Sequence, residues 1–225
     1  LGLTDQAIEK EPVSMVAIID YRAGNLTSVR LAFEALGVDA VITDNPEDIL
    51  AAERVVFPGV GAAGAAMVTL QELGLTDTIR AAVASGKPFL GICLGTQIIF
   101  EHSQEDGGVD GIGLVPGDVR LFQPSSPYDK VPQMGWNSVS QLKVHPLMEG
   151  IADDSEFYFV HSYYPMPSDR EWIVGETDYA DVTFASMVAK GNLAATQFHP
   201  EKSGRIGLRL LENFCRWDPS ESEAD

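Results

Sequence analysis

Apolar and polar positions change in blocks along the first hundred residues. Val16-Ala-Ile-Ile19 is an unbroken apolar run ending at Asp20, the pattern of a strand buried on both faces. After Tyr21-Arg22-Ala23-Gly24-Asn25, the residues Leu26, Val29, Leu31, Phe33 and Leu36 fall near helical spacing, and Gly37 marks a stop. Val38 to Ile42 predicts a second strand, and Asn45-Pro46 turns into a short helix. Val55-Val56-Phe57 predicts a third strand, closed by Pro58-Gly59-Val60-Gly61. Helices are expected over 62–73 and 76–84, the second ended by Ser85-Gly86. Phe89 to Ile92 reads as a fourth strand, and Leu94 to Phe100 has the composition to open another helix.

This alternation predicts an α/β fold: a mostly parallel central sheet with helices on both faces. Sites in such sheets form at the carboxyl ends of strands, which would bring Asn25, Gly61 and Cys93 to one edge. From Gly107 onward Gly and Pro recur, and short β-like runs cover 115–121, 131–139, 156–164, 172–176 and 184–189. These predict an antiparallel β extension of the same core. Leu193 to Phe198 is a further strand, and Ser203 to Trp217 an amphipathic helix with Ile206, Leu210, Leu211 and Phe214 inward. The expected organisation is one domain over 15–217. A polar N-terminal segment, 1–14, precedes it as an alternative start, an extension or a remnant. An acidic tail, 218–225, without apolar periodicity follows it; the tail is expected to be disordered and 1–14 flexible.

Composition narrows the class. A hydrophobic content of 45% fits a globular protein, and no apolar run reaches the length of a membrane span. The formal net charge of −18 argues against binding nucleic acid by phosphate neutralisation. Two cysteines, Cys93 and Cys215, make no disulfide framework, so a reducing compartment such as the cytoplasm is expected.

Cys93 stands between a strand and a helix, with Gly91 and Gly95 two residues to either side. That is a nucleophile elbow in sulfur form, with glycines permitting the tight turn and a helix N-terminus favouring thiolate. Alone, it reads better as a buried inert cysteine, and only the histidine segment about a hundred residues downstream reverses that. Of four histidines, His102 and His145 fall in polar segments expected to face solvent, while His161 lies in an aromatic strand, as core or as site lining. His199 ends an apolar strand in Gln197-Phe-His-Pro-Glu201. Pro200 keeps His199 extended, and a continued strand would set His199 and Glu201 on one face. Glu201 could then hold one ring nitrogen while the other meets a thiol. Without Cys93, the pair would be a solvated strand end.

Taken together, Gly91-Ile-Cys-Leu-Gly-Thr-Gln97 and Gln197-Phe-His-Pro-Glu-Lys-Ser203 resemble the class I, triad-type glutamine amidotransferases. Asp20 to Leu26, Pro58 to Gly61, Val131-Pro-Gln-Met-Gly-Trp-Asn137 and Tyr158 to Tyr163 narrow the resemblance to the glutaminase subunits of imidazole glycerol phosphate synthase. It covers roughly residues 15 to 215.

The resemblance implies that Cys93 attacks the side-chain amide of L-glutamine, with His199 as base and Glu201 as its orienter. It implies an oxyanion hole from Leu94 and the Val60-Gly61 loop, a loop that changes conformation when the partner is loaded. Gln97 and Glu105 would hold glutamine, helped by Ser162 and Tyr163. The implied partner is a (β/α)8-barrel cyclase in a heterodimer, receiving the ammonia to make imidazole glycerol phosphate in histidine biosynthesis. Asn25, Trp136, Tyr158 and Lys202 match positions expected near the docking face, and Trp136 reads equally as core. No metal or organic cofactor is implied. Two positions depart from the pattern: Gln133 where the family usually has His, and Arg22 where it usually has Gly. The rival readings are the glutaminase of pyridoxal phosphate or anthranilate synthesis, a catalytically silent regulatory homologue, and a cysteine hydrolase of related fold.

Overall fold

The computed structural model describes residues 15–22 and 24–221. The segment 1–14 and residues 222–225 of the acidic tail lie outside the described residues, as does Ala23.

The first half follows the alternating pattern. β1 (Val16–Ile19), α1 (Leu26–Ala35), β2 (Ala40–Thr43), α2 (Pro46–Ala51) and β3 (Arg54–Gly59) lead to α3 (Ala63–Glu72) and α4 (Leu75–Ala84). β4 (Phe89–Cys93) then runs directly into α5 (Leu94–Ile98). The unbroken apolar runs of β1 and β4 are buried at every position because helices cover both faces. Period-two alternation divides the core. Val16, Ile18, Val56 and Leu90 face Phe33 of α1, while Ala17, Ile19, Val55 and Phe57 face Ile49, Leu70 and Ile79 of α2, α3 and α4.

The second half comprises β5 (Phe100–Ser103), β6 (Val109–Asp110), β7 (Val115–Leu121), β8 (Gln133–Gln141), β9 (Ser155–His161) and β10 (Tyr163–Pro167). β11 (Ile173–Tyr179), β12 (Val182–Lys190), β13 (Leu193–Thr196) and α6 (Gly204–Arg216) complete it. The main sheet has nine strands in the order β2-β1-β3-β4-β13-β12-β11-β8-β9. It is parallel from β2 to β13 and antiparallel beyond. β13 is therefore the seam, and it sets the residues that follow it beside the end of β4.

Three expectations are corrected. The later strands do not all extend one sheet: β10, β7, β5 and β6 form a separate four-stranded sheet in that order. The aromatic run expected as one strand over 156–164 changes sheet at Ser162, between β9 and β10. The helix expected to reach Phe100 stops at Ile98, because Phe100 begins β5 and pairs with Val115 of β7.

On α6, Leu210, Leu211 and Phe214 are buried. Arg54 holds the end of this helix, Nη1 donating to the Phe214 carbonyl at 2.9 Å and the Trp217 carbonyl at 2.7 Å. The acidic tail, expected to be disordered, instead forms a short 3-10 turn over Pro219–Glu221 in its described part.

Candidate active site

β4 ends at Cys93, which caps α5 with φ 55° and ψ −110°. That left-handed φ is strained for a non-glycine residue, and such strain clusters at functional sites. The flanking glycines act differently from expectation. Neither Gly91 nor Gly95 has a positive φ; they provide room instead. A Cβ on Gly95 would overlap the Phe57 carbonyl, and one on Gly91 would stand 3.0 Å from the Ala195 Cβ. The strain falls on Cys93 itself, and close approach of neighbouring strands falls on the glycines.

β13 lies beside β4, with Thr196 opposite Ile92, and carries the chain to Gln197 and His199. The His199 N–H donates to the Tyr158 carbonyl at 2.9 Å, and the Ser203 hydroxyl donates to the His199 carbonyl at 2.6 Å. The strand does not continue as expected. Pro200 opens a 3-10 turn, Pro200–Lys202, and this turn rather than a shared strand face brings Glu201 under the imidazole. His199 Nδ1 lies 2.7 Å from Glu201 Oε1, with both side chains almost wholly buried. Burial alone would lower the His199 pKa. Hydrogen bonding and charge interaction with Cys93 and Glu201 outweigh it and raise the pKa to about 10. His199 Nε2 completes no well-formed hydrogen bond among the described residues, and Cys93 is the side chain acting on it together with Glu201.

Two neighbours of this group carried no such role in the sequence. Gln197, fully buried, places Nε2 3.8 Å from Cys93 Sγ and accepts at Oε1 from Gln97 Nε2 at 2.9 Å. Asn25, expected at a docking face, donates from Nδ2 to Glu201 Oε1 at 3.1 Å. The first was present in the His-Pro-Glu segment; the second depends on a contact spanning the chain.

A cavity of about 290 Å³ opens above Cys93. Cys93, His199, Val60, Gly61 and Leu94 line it together with Gln97, Glu105, Ser162 and Tyr163. Of the residues expected to carry chemistry, oxyanion stabilisation and substrate binding, Glu201 alone is not among the lining residues; it lies behind His199. Gly61 carries φ 101°. Gln97 Nε2 also donates to the Tyr163 carbonyl at 2.8 Å, and Glu105 Oε2 accepts from the Ala63 N–H at 2.8 Å. Burial raises the Glu105 pKa, the Ala63 N–H lowers it and Asp106 raises it, for a net rise.

His161 lines the same cavity and is buried. Burial, opposed by a contact with the Tyr163 carbonyl and aided by nearby His199, lowers its pKa to about 4. The neutral ring therefore donates from Nδ1 to the Tyr163 oxygen at 2.7 Å and keeps Nε2 as an acceptor. Gln133 faces it across β8 and β9 and is equally buried. His145, expected to be solvated, packs 5.3 Å from the Trp217 ring instead, and burial, with Lys143 nearby, lowers its pKa to about 4. His102 sits in β5 beside Asp110. A wider groove of about 560 Å³, lined by His145, Arg216 and Trp217, has no cysteine, serine or threonine among its described lining residues. Among the described residues no group of three or more His, Cys, Asp or Glu is arranged to hold a metal ion.

On the outer surface Trp136 is 54% exposed, so it is not core. It stands opposite Tyr158 across β8 and β9, and Lys202 Nζ lies 6.0 Å over the Tyr158 ring. Met134, two residues from Trp136, is also exposed.

Residues 17–217 match the family model for class-I glutamine amidotransferases: the chain belongs to that family. Over 215 residues, 92% of this chain and 100% of the relative, it is 48% identical to imidazole glycerol phosphate synthase subunit HisH of Aromatoleum aromaticum. Over 200 residues, 89% and 98% of the two chains, it is 50% identical to subunit HisH of Methanocaldococcus jannaschii. Within the class, then, it belongs with the HisH glutaminase subunits of imidazole glycerol phosphate synthase. The solved structure of PurLQS from Thermotoga maritima shares the fold, with a TM-score of 0.69 at 17% identity over 91% of this chain and 99% of that one. A glutamine amidotransferase from the same organism has a TM-score of 0.62 at 17% identity, covering 96% of this chain and 87% of that one.

Proposed function

We propose that this glutaminase hydrolyses L-glutamine to glutamate and ammonia with Cys93 as nucleophile, His199 as acid and base, and Glu201 as orienter. With the shared proton held on His199 Nε2, the Cys93 sulfur attacks the side-chain amide carbon. The negative charge that develops on the amide oxygen is met by the Leu94 N–H and by an N–H of the Val60-Gly61 segment. His199 returns the proton to the departing ammonia, leaving a glutamyl thioester. A water that gives a proton to His199 then cleaves the thioester and restores the thiol. Glu201 fixes the ring and stabilises its charged form throughout. Gln97, Glu105, Ser162 and Tyr163 hold the glutamine.

The observation that carries this reading is the buried 2.7 Å contact between His199 and Glu201, next to a cysteine held at a left-handed φ. The partner in this reading is a (β/α)8-barrel cyclase, forming a heterodimer through the face that bears Trp136, Tyr158 and Lys202, with Asn25 close behind. Exposure of Trp136 beside Met134 supports it, as a large unpaired apolar side chain suits a docking centre. Ammonia passes to the cyclase for imidazole glycerol phosphate synthesis in the cytoplasm. Among the described residues no helix is long and apolar enough to cross a membrane.

The test is glutamate release from glutamine with the cyclase and its nucleotide substrate each added or withheld. Strong release only with the loaded partner is expected. A complex that forms yet releases no glutamate under any condition overturns the catalytic assignment. Full release without the partner overturns the dependence on docking.

A further inference from the structure

Tyr21 follows β1, and its ring lies in the core edge-on to Phe57 of β3, with ring centroids 5.5 Å apart. Only 3% of the residue is exposed, and its hydroxyl completes no well-formed hydrogen bond among the described residues. A Cβ placed on Gly59 would overlap this hydroxyl oxygen and stand 2.9 Å from the Gly95 nitrogen. The hydroxyl therefore fills the space of a missing side chain at 59, between the end of β3 and the turn that carries Cys93. Gly59 stands opposite Cys93 in the sheet, and the peptide after it leads into Val60 and Gly61, which line the cavity. Burial and the nearby Cys93 push the phenol pKa up, against the pull of the Val60 N–H. The ring thus stays a neutral O–H beside that amide. Tyr21 does not line the cavity, so an amide acting on its oxygen faces the core and not the glutamine carbonyl.

We propose that Tyr21 is a positioning residue for the oxyanion side of the site. Its hydroxyl faces the Val60 N–H in the arrangement seen here, and donates to the Gly59 carbonyl once the Gly59–Val60 peptide turns its N–H into the cavity. A peptide that turns over exchanges N–H for C=O on each face. A phenol both accepts and donates, so one side chain can serve either arrangement without stranding a buried peptide group. The O–H left unused here finds its acceptor only in the turned state, so Tyr21 favours the state with an N–H ready for the oxyanion. The absence of a side chain at 59 leaves the peptide free to turn. This inference rests on the reading of Cys93 as nucleophile and of Val60-Gly61 as its oxyanion partner.

The experiment compares Tyr21→Phe and Cys93→Ala with the parent, each in complex with the synthase partner subunit. It measures glutaminase kcat and KM, and the alkylation of Cys93 by iodoacetamide across pH. Tyr21→Phe is expected to lower kcat roughly tenfold to a hundredfold, with KM for glutamine within about twofold, because the lost contact belongs to the transition state. The alkylation rate and its pH profile should stay as in the parent, since the thiol is untouched. An unchanged kcat overturns the proposal. A displaced alkylation profile does so as well, because Tyr21 would then act on the sulfur. An active Cys93→Ala breaks the underlying site reading, whereas an inactive Cys93→Ala beside an unaffected Tyr21→Phe breaks only the role of Tyr21. If Tyr21→Phe fails to form the complex, 3-fluorotyrosine at position 21 decides. Its more acidic O–H donates more strongly and should raise kcat, and a kcat unchanged or lowered overturns the proposal.

Discussion

His199 and Glu201 are held by the Tyr158 carbonyl, the Ser203 hydroxyl, Asn25 and the 3-10 turn at Pro200, with His199 Nε2 and Glu201 Oε2 left without a well-formed partner among the described residues. Val60 and Gly61, on the other side of the sulfur, are half-buried to exposed and follow Gly59, against which the Tyr21 hydroxyl lies without a well-formed partner among the described residues. The loop beside them holds Arg22 at φ 65°, a non-glycine residue in the left-handed region. The proton-handling half of the site is set by the packed seam of β4 and β13. The charge-receiving half rests on short segments that the fold leaves less determined. An enzyme built this way can keep its nucleophile ready while withholding the final hydrogen bond.

The sharpest way to break this contrast is Cys93→Ala. Loss of the nucleophile should reduce glutamate release at least about ten-thousandfold, whatever the partner does. Substantial residual turnover would mean that the rigid half is not the reactive one. Next, Glu201→Gln should lower kcat about a thousandfold by removing the charge that supports the imidazolium. Asn25→Ala, which leaves Glu201 in place, should lower it about tenfold to a hundredfold, by the weight of one hydrogen bond to a charged group. If Asn25→Ala instead weakens partner binding with kcat intact, its place belongs to docking.

Titration separates the two kinds of buried histidine. His145 and His161 have folded pKa values lowered to about 4, so between pH 6.5 and 4 the unfolded chain binds protons that the folded chain refuses. Stability is therefore lost as pH falls through that window. His199 has a raised folded pKa, so its contribution is complete below about pH 6.5 and disappears as pH climbs through about 10. Urea midpoints across pH should show both limbs. His145→Asn keeps an acceptor for the Leu147 N–H and should flatten the acid limb by about 2 kcal/mol. An acid limb as steep as the parent's would show that His145 titrates normally. The smallest effect concerns Arg22→Gly, which relieves a left-handed residue and should raise stability by about 1 kcal/mol, read by urea unfolding. A destabilisation would mean that the Arg22 backbone is held by contacts worth more than its strain.

Much of the rigid half was legible in the chain. The apolar runs of β1 and β4 read as strands covered on both sides, and Cys93 ends the second. His199 and Glu201 were readable as a pair because Pro200 restricts the residue before it. The turn that joins them was not, since a strand end and a 3-10 turn share the same three residues. The second sheet escaped because β5, Phe100-Glu-His-Ser103, carries one apolar residue and no period-two alternation, and it pairs with β7 in parallel, a contact without a local signal. Ser162 looked like one more strand position inside an aromatic run that continues on both sides of it. Tyr21 and Gln197 could not be assigned, because their significance lies in which buried atom they meet across the sheet.

The exposure of Trp136 has an optical consequence. The chain has three tryptophans, and Trp172 and Trp217 are 9% and 2% exposed, so they emit from a dry interior. Only Trp136 carries a strongly hydrated indole, and it sits above the strand whose neighbour holds the His199 amide. The red edge of the protein's own fluorescence is therefore a single-site gauge of wetting at that face, and any molecule that covers it announces itself without a label.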